Sequence, residues 1–249
     1  MPFRPYVFGD DESVLLKKFD GSLLLGIELD YIDDDIKKIC FLDLETTGLN
    51  ISDMIVELAI KLVAIEKHTG RLIKILDSYE SFNDPGFTMD ERNIAIHGIS
   101  NEMVKDKFID WDRVKDIFDD SEIIVAHNAR FDRSFMDRDF SLSDEKVWAC
   151  SVNDIDWPGM GFNSRSQELL CMWHGFYYES HRAMSDVDAL IYLVTHDSYD
   201  DQKPIKQLID NAYQIGYKVL ALNSSFQQKD ILRSNGYSWN GDDKYWWKT

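Results

Sequence analysis

From Ile39 onward the chain alternates short apolar runs with helix-length amphipathic segments. That alternation restricts the central part of the 249-residue sequence to an α/β sheet with helices packed on it. Ile39 to Leu44 is apolar except for Asp43, as suits a central strand covered on both faces. Met54 to Ile65 and Arg71 to Tyr79 are the next predicted strands, with a turn at Thr69-Gly70 between them. A helix is predicted over 99 to 118, a strand from Glu122 to Ala126, a helix from Ala129 to Arg138 and a strand from Val147 to Cys150. After a loop containing Trp157-Pro158-Gly159, helices are expected over 164 to 173 and 182 to 196. The sequence contains no internal repeat.

Two flanking segments depart from this pattern. Ser13 to Phe19 and Ser22 to Ile27, separated by Asp20-Gly21, predict a hairpin, so residues 1–37 are expected to form an N-terminal hairpin extension. Its end, Asp30 to Asp35, reads as a solvated acidic connector. The main domain is expected over 38–197, and the polar, proline-ended stretch Asp197 to Pro204 marks its boundary. Beyond it, a helix over 204 to 215, a strand over 217 to 222, a helix over 226 to 234 and a hairpin around Trp239 to Lys244 predict a small α+β module spanning 204–249.

A net charge of −18 weighs against a broad phosphate-binding surface. Divalent cations held by carboxylates can nevertheless supply a local positive field. The charge is also uneven, because residues 201 to 249 carry seven Lys/Arg against five Asp. No apolar run is long enough to cross a membrane and the start lacks a signal peptide's blocks, which leaves cytoplasmic residence and no membrane partner as the expectation. Cys40, Cys150 and Cys171 have no CxxC spacing and are expected to be reduced thiols, not disulfides or zinc ligands.

Several acids stand where an apolar fold would not place them without a purpose. Asp43 and Glu45 are two apart on a predicted strand, so both carboxylates project from one face and Leu42 and Leu44 from the other. Side by side they repel and are costly to desolvate, difficulties that a divalent cation removes. The strand ending at Ala126 leads directly to Asn128, placed to cap the helix that carries Asp132. Asp132 is thereby presented at a strand's carboxyl end, where open α/β sheets bind ligands. Asp186 lies in an amphipathic helix, and His181 sits on the loop before it, where an imidazole can take a proton near neutral pH. Hard oxygen donors favour Mg²⁺ or Mn²⁺, and two such ions suit phosphodiester hydrolysis.

The three contexts Phe41-Leu-Asp-Leu-Glu-Thr-Thr-Gly-Leu49, Ala126-His-Asn-Ala-Arg-Phe-Asp132 and His181-Arg-Ala-Met-Ser-Asp186 together resemble the DnaQ-like (DEDDh) 3′-to-5′ exonucleases. The resemblance covers residues 38 to 196. It implies a ribonuclease-H-like fold, a mixed five-stranded sheet flanked by helices. It further implies that Asp43, Glu45 and Asp186 hold one ion, that Asp43 with Asp132 holds a second, and that His181 is the general base. Arg182 stands where a sister group has tyrosine, which indicates the histidine subgroup. Thr46, Thr47 and Leu49 match positions that hold the terminal 3′ nucleotide, and Glu57 matches an acid near its sugar, or forms an ion pair on its strand. Asn128 completes the candidate substrate contacts. His97 is assigned a structural role in a turn, while Asp188, His174 and His196 match no required position and are expected on the surface.

The expected function is therefore release of nucleoside 5′-monophosphates from the 3′ end of single-stranded DNA, in repair or replication editing. An exoribonuclease with the same site, or a non-catalytic module binding nucleic acid or a polymerase, are the alternatives. A nucleic acid with a free 3′ end is the expected partner, with a polymerase or another protein as a further one. Trp239, Tyr245, Trp246 and Trp247, with Lys244 and Lys248, either stack on bases or form the small module's own core. Alternation along the last strand buries one of Trp246 and Trp247 and exposes the other.

Overall fold

The computed structural model describes residues 13–30, 35–214, 217, 219–241 and 243–248. It divides into two compact units, residues 1–212 and 213–249. The first contains β1 (Lys17–Lys18), β2 (Ile36–Thr46), β3 (Ile55–Glu66), β4 (Leu72–Phe82), α1 (Glu91–His97), α2 (Asn101–Val104) and α3 (Trp111–Asp120). These are followed by β5 (Ile123–Ala126), α4 (Arg130–Asp139), β6 (Val147–Cys150), α5 (Gln167–Trp173), β7 (Phe176–Tyr177), α6 (Ala183–Val194) and α7 (Pro204–Ala212).

Five strands form one mixed sheet in the order β4-β3-β2-β5-β6. β2, β3 and β4 pair antiparallel, whereas β5 pairs parallel with both β2 and β6. This is the five-stranded mixed sheet flanked by helices that the resemblance implied. Alternation on β2 divides the core. Ile39 and Phe41 face a layer built with Val187, Leu190, Ile191 and Val194 of α6, while Cys40, Leu42 and Leu44 face one built with Val114, Ile117 and Phe118 of α3. β3 is buried along almost its whole length, and its two charged residues in that stretch are each answered from the α6 segment. Glu57 pairs with Arg182 and Lys61 with Asp188.

Several expectations need correction. The N-terminal segment forms no hairpin among the described residues. β1 instead pairs parallel with β7, and Ser22–Leu24 is a 3₁₀ turn following Gly21, whose φ is 80°. Phe19 and Leu24 are drawn into the α6 side of the core, with Phe19 stacked on Tyr192 at 4.8 Å, so burial overrides the local hairpin signal. Of the acidic connector, residues 31–34 lie outside the described residues.

The helix predicted over 99 to 118 is split. α2 ends at Val104, Asp106 adopts a left-handed φ of 58°, and Asp110 opens α3 by accepting from the Asp112 and Arg113 amides at 3.1 Å each. His174 and His196 are buried, not on the surface: His174 bonds the Leu170 carbonyl at 2.6 Å and the Tyr199 hydroxyl at 2.5 Å. Asp188 is mostly buried too, in its ion pair with Lys61.

The boundary between the two units falls after Ala212 instead of at 197 to 204. Ile205, Leu208 and Ile209 of α7 belong to the first unit's core, and Asn211 donates to the Asp154 carbonyl at 2.8 Å. The second unit, described by itself, holds α8 (Lys229–Ser234) and an antiparallel sheet of β8 (Val219–Ala221), β9 (Ser238–Asn240) and β10 (Tyr245–Lys248), in the order β8-β10-β9. All three cysteines are free thiols, and Cys40 and Cys171 are buried. Among the described residues no helix is long and apolar enough to cross a membrane.

Candidate active site

Asp43 and Glu45 leave β2 on the face that receives α6, because they continue the alternation set by Ile39 and Phe41. Asp186 lies in the first turn of α6. One carboxylate oxygen from each of Asp43, Glu45 and Asp186 lies within 4.8 Å of the others, the one such acidic group found among the described residues. Asp132 stands outside this triad, almost completely buried in the first turn of α4. The backbone amides of Asp132 and of Leu44 on β2 favour its charged form.

The cluster lacks enough positive charge to balance it. Removal from water, and then repulsion from Asp132, Asp186, Glu45 and Glu57, push the Asp43 carboxyl far above the usual carboxylate range. Glu45 is pushed up to about 8 by desolvation and by Asp186, Glu57 and Asp132, with Arg182 opposing. Burial raises Asp132 to about 8 against the help of the Asp132 and Leu44 amides. Desolvation also raises Asp186, although the Tyr178 hydroxyl donates to its Oδ1 at 2.7 Å and the Arg182 amide to its Oδ2 at 3.1 Å. An all-oxygen set that repels itself in this way fits a hard divalent cation.

These shifts give a pH prediction for protein held in EDTA. Each raised carboxyl binds its proton more tightly folded than unfolded. Its stabilising contribution is therefore complete below about pH 4, the ordinary carboxylate range, and is lost as pH rises through about 8, the folded value of Glu45 and Asp132. Melting temperature in EDTA should fall between about pH 5 and 8, and Mn²⁺ should raise it most at about pH 8. A flat profile in both conditions would show that folding does not raise these carboxyls.

Glu57 faces Glu45 directly across β2 and β3, an unfavourable pairing of like charges. Its carboxylate is occupied on the other side, accepting from Arg182 Nη2 at 2.9 Å and from the Ala183 amide at 2.9 Å. It thus supplies the helix-capping acceptor that Arg182, at the N-cap of α6, does not. This geometry accords with the ion-pair alternative for Glu57. Glu57→Ala should lower the unfolding free energy in urea by about 2 kcal/mol, less than for a fully buried pair because Arg182 is 45% exposed. An unchanged midpoint would mean that Glu57 does not hold α6.

The β2 to β3 turn forms one wall. Pairing slips at its mouth, with Glu45 opposite Glu57 but Thr46 opposite Ile55, a bulge that leaves Val56 without an opposite residue. Thr46 Oγ1 donates to the Gly48 carbonyl at 2.6 Å, and the buried Thr47 receives the Met54 amide at 3.0 Å on its hydroxyl. Asn93 of α1 holds the Thr47 carbonyl. A Cβ on Gly48 would lie 2.5 Å from Asp53 Oδ2, so a larger residue there would push the Asp53 carboxylate from its place on the Asn50 amide. Leu49 is 85% exposed, a large apolar side chain held out in solvent.

Asn128 is exposed and makes no cap bond. The N-cap position of α4 is Ala129, and Asn128 lies one residue before it with a left-handed φ of 66°, which corrects the capping expectation. His181 is exposed on the loop before α6, also with a left-handed φ, 64°. His97 is buried at the end of α1, where its Nδ1 accepts the Ile99 amide at 3.0 Å. Nothing in the local pattern points to Tyr178 or Gln167 as parts of the site. Gln167 Nε2 donates to the Tyr178 hydroxyl at 3.0 Å and to the Asp186 carbonyl at 2.9 Å, a brace legible only once α5 and α6 are side by side.

An exonuclease family model, RNase_T, matches residues 40–194. The PolC-type DNA polymerase III of Listeria monocytogenes is 29% identical over 205 residues, 71% of this chain and 13% of that protein. The PolC-type DNA polymerase III of Oceanobacillus iheyensis is 32% identical over 199 residues, 72% of this chain and again 13% of its own length. The chain therefore spans a small part of the curated relatives it matches. Among solved structures, E. coli exonuclease I in complex with a dT13 oligonucleotide superposes with a TM-score of 0.54 at 17% identity, covering 70% of this chain and 43% of that one. That likeness is one of fold.

Proposed function

Because the chain belongs to the RNase_T exonuclease family, within the DnaQ-like superfamily, we propose that it is a metal-dependent exonuclease of the DEDDh type that removes nucleoside 5′-monophosphates from the 3′ end of single-stranded DNA. The observation that carries this reading is the convergence of Asp43, Glu45 and Asp186 from two elements onto one point. Asp43, Glu45 and Asp186 would hold one Mg²⁺ or Mn²⁺, and Asp43 with Asp132 the second. When bound, such ions activate the attacking water and stabilise the leaving 3′-oxygen. His181, exposed on the loop before α6, is the general base in this reading and would take the proton from the attacking water.

Tyr178 and the Arg182 amide orient Asp186, and burial pushes the Tyr178 hydroxyl so far up that it stays a donor. Thr46 and Thr47, fixed by their turn, receive the terminal nucleotide, with Asn128 as a further contact, and Leu49 wedges against its base. In this reading Glu57 acts through α6 and not on the sugar. The preference for DNA, and a polymerase as partner, are supported by the PolC-type relatives, which are DNA polymerases.

Degradation of matched 5′-labelled DNA and RNA single strands with Mg²⁺, Mn²⁺ or EDTA tests this. A metal-dependent ladder, faster on DNA, is the expected result. A faster ladder on RNA would establish an exoribonuclease, and no cleavage of either strand would leave the fold without the proposed activity.

A further inference from the structure

We propose that the C-terminal unit carries a second nucleic-acid site, a pocket in which aromatic side chains stack on a base of the DNA strand while two cations meet its phosphates. The choice of DNA as the strand rests on the exonuclease reading above. The pocket does not, since it lies wholly within residues 224–246, outside the stretch that matches the exonuclease family.

The cavity is about 300 Å³ and is lined by Ser225, Phe226, Lys229, Arg233, Trp239 and Trp246, among others. That volume lies at the lower end of the range for small-ligand sites, about 300 to 1,000 Å³. Alternation on β10 buries Trp246, at 6% exposure, and leaves Trp247 partly exposed. Trp246 is opposite Trp239 on β9, with ring centroids 5.4 Å apart and planes inclined by 55°. Trp246 thus serves as the unit's core, whereas Trp239 is 48% exposed and Phe226 79% exposed. Two large rings held open beside a cavity expose apolar surface that packing leaves uncovered.

Cations stand beside the aromatic walls. The Arg233 guanidinium lies 5.7 Å from the Trp246 ring centroid, and Lys229 Nζ lies 4.2 Å from that of Phe226. Rings that offer faces to bases, interleaved with Lys and Arg, are the chemistry of sequence-tolerant single-strand binding. The charge distribution selects the same ligand. Residues 213–249 carry five Lys/Arg against three Asp, in a chain whose net charge is −18. A polyanion that the rest of the chain repels is attracted here. A strand held at this pocket stays tethered to the chain after each cut, so the site should matter for long strands and not for short ones.

The test is fluorescence anisotropy of 5′-labelled dT30 with the full chain in EDTA, where no cleavage competes and the active-site carboxylates offer no cation. Trp239→Ala should weaken binding about tenfold, in the range for loss of one stacked base. Trp239→Phe, which keeps a stacking ring, should stay near the parent value. Lys229→Gln with Arg233→Gln alters two side chains outside the buried core. That double variant should weaken binding and reduce the slope of log Kd against log salt by about 0.7 for each phosphate no longer neutralised.

Unchanged affinity for dT30 in both Trp239→Ala and the double variant would overturn the proposal. Tighter binding of rU30 through the same residues would overturn the assignment to DNA. Displacement of dT30 by poly-glutamate at equal affinity would reassign the pocket to an acidic protein. Failure of the exonuclease reading shows separately, as a parent chain that binds dT30 in EDTA yet degrades nothing when Mg²⁺ or Mn²⁺ is added.

Discussion

Asp43→Ala should reduce turnover on a 5′-labelled single strand at least about a thousandfold in saturating Mn²⁺. Asp43 is the acid assigned to both ions, and the charge stabilisation an ion supplies is worth several kcal/mol, each ~1.4 kcal/mol being tenfold in rate. The same substitution should raise the melting temperature in EDTA. It deletes a carboxyl that Asp132, Asp186, Glu45 and Glu57 all repel. Loss of activity together with gained stability separates a role in chemistry from a role in folding. Activity retained in full would remove Asp43 from the site.

His181→Asn should act on turnover alone. Its kcat should fall by about 10² to 10⁴, the range for loss of a general base, while Kd for a single strand measured in EDTA changes little. Asparagine is the better probe than alanine because the backbone at this position is left-handed, with φ 64°, which asparagine tolerates. The side chain is exposed, so its removal opens no cavity. A change confined to binding, with kcat intact, would assign His181 to substrate contact and not to proton transfer.

The frame of the site was legible in the sequence because its signals are local. Alternation on Ile36–Thr46 sends Asp43 and Glu45 to the side opposite Leu42 and Leu44, and the apolar stripe of α6 decides which side of Asp186 is buried. What was not legible depends on contacts between distant segments. Glu57 reads as a lone acid in an apolar strand until α6 arrives 125 residues later with Arg182 and an open amide. His174 and His196 look like surface groups until Phe176, Tyr192 and Tyr199 close around them. The hairpin expected at Asp20-Gly21 loses because β7 offers Lys17 and Phe19 a parallel edge and the core takes Phe19 and Leu24. Asn128 has a cap's composition, but its left-handed backbone places it outside the helix it precedes.

If the carboxylates of β2, α4 and α6 hold the divalent cations that the chemistry requires, those ions can be counted. The decisive measurement is calorimetric titration of Mn²⁺ into the full chain in the presence of thymidine 5′-monophosphate, run at about pH 7 in two buffers of different ionisation enthalpy. Two ions per chain are expected, with proton release on binding from Glu45 and Asp132, whose carboxyls are raised to about 8. Both binding events should vanish in Asp43→Ala. Binding of the same stoichiometry and affinity in Asp43→Ala would contradict the assignment of the ions to these carboxylates.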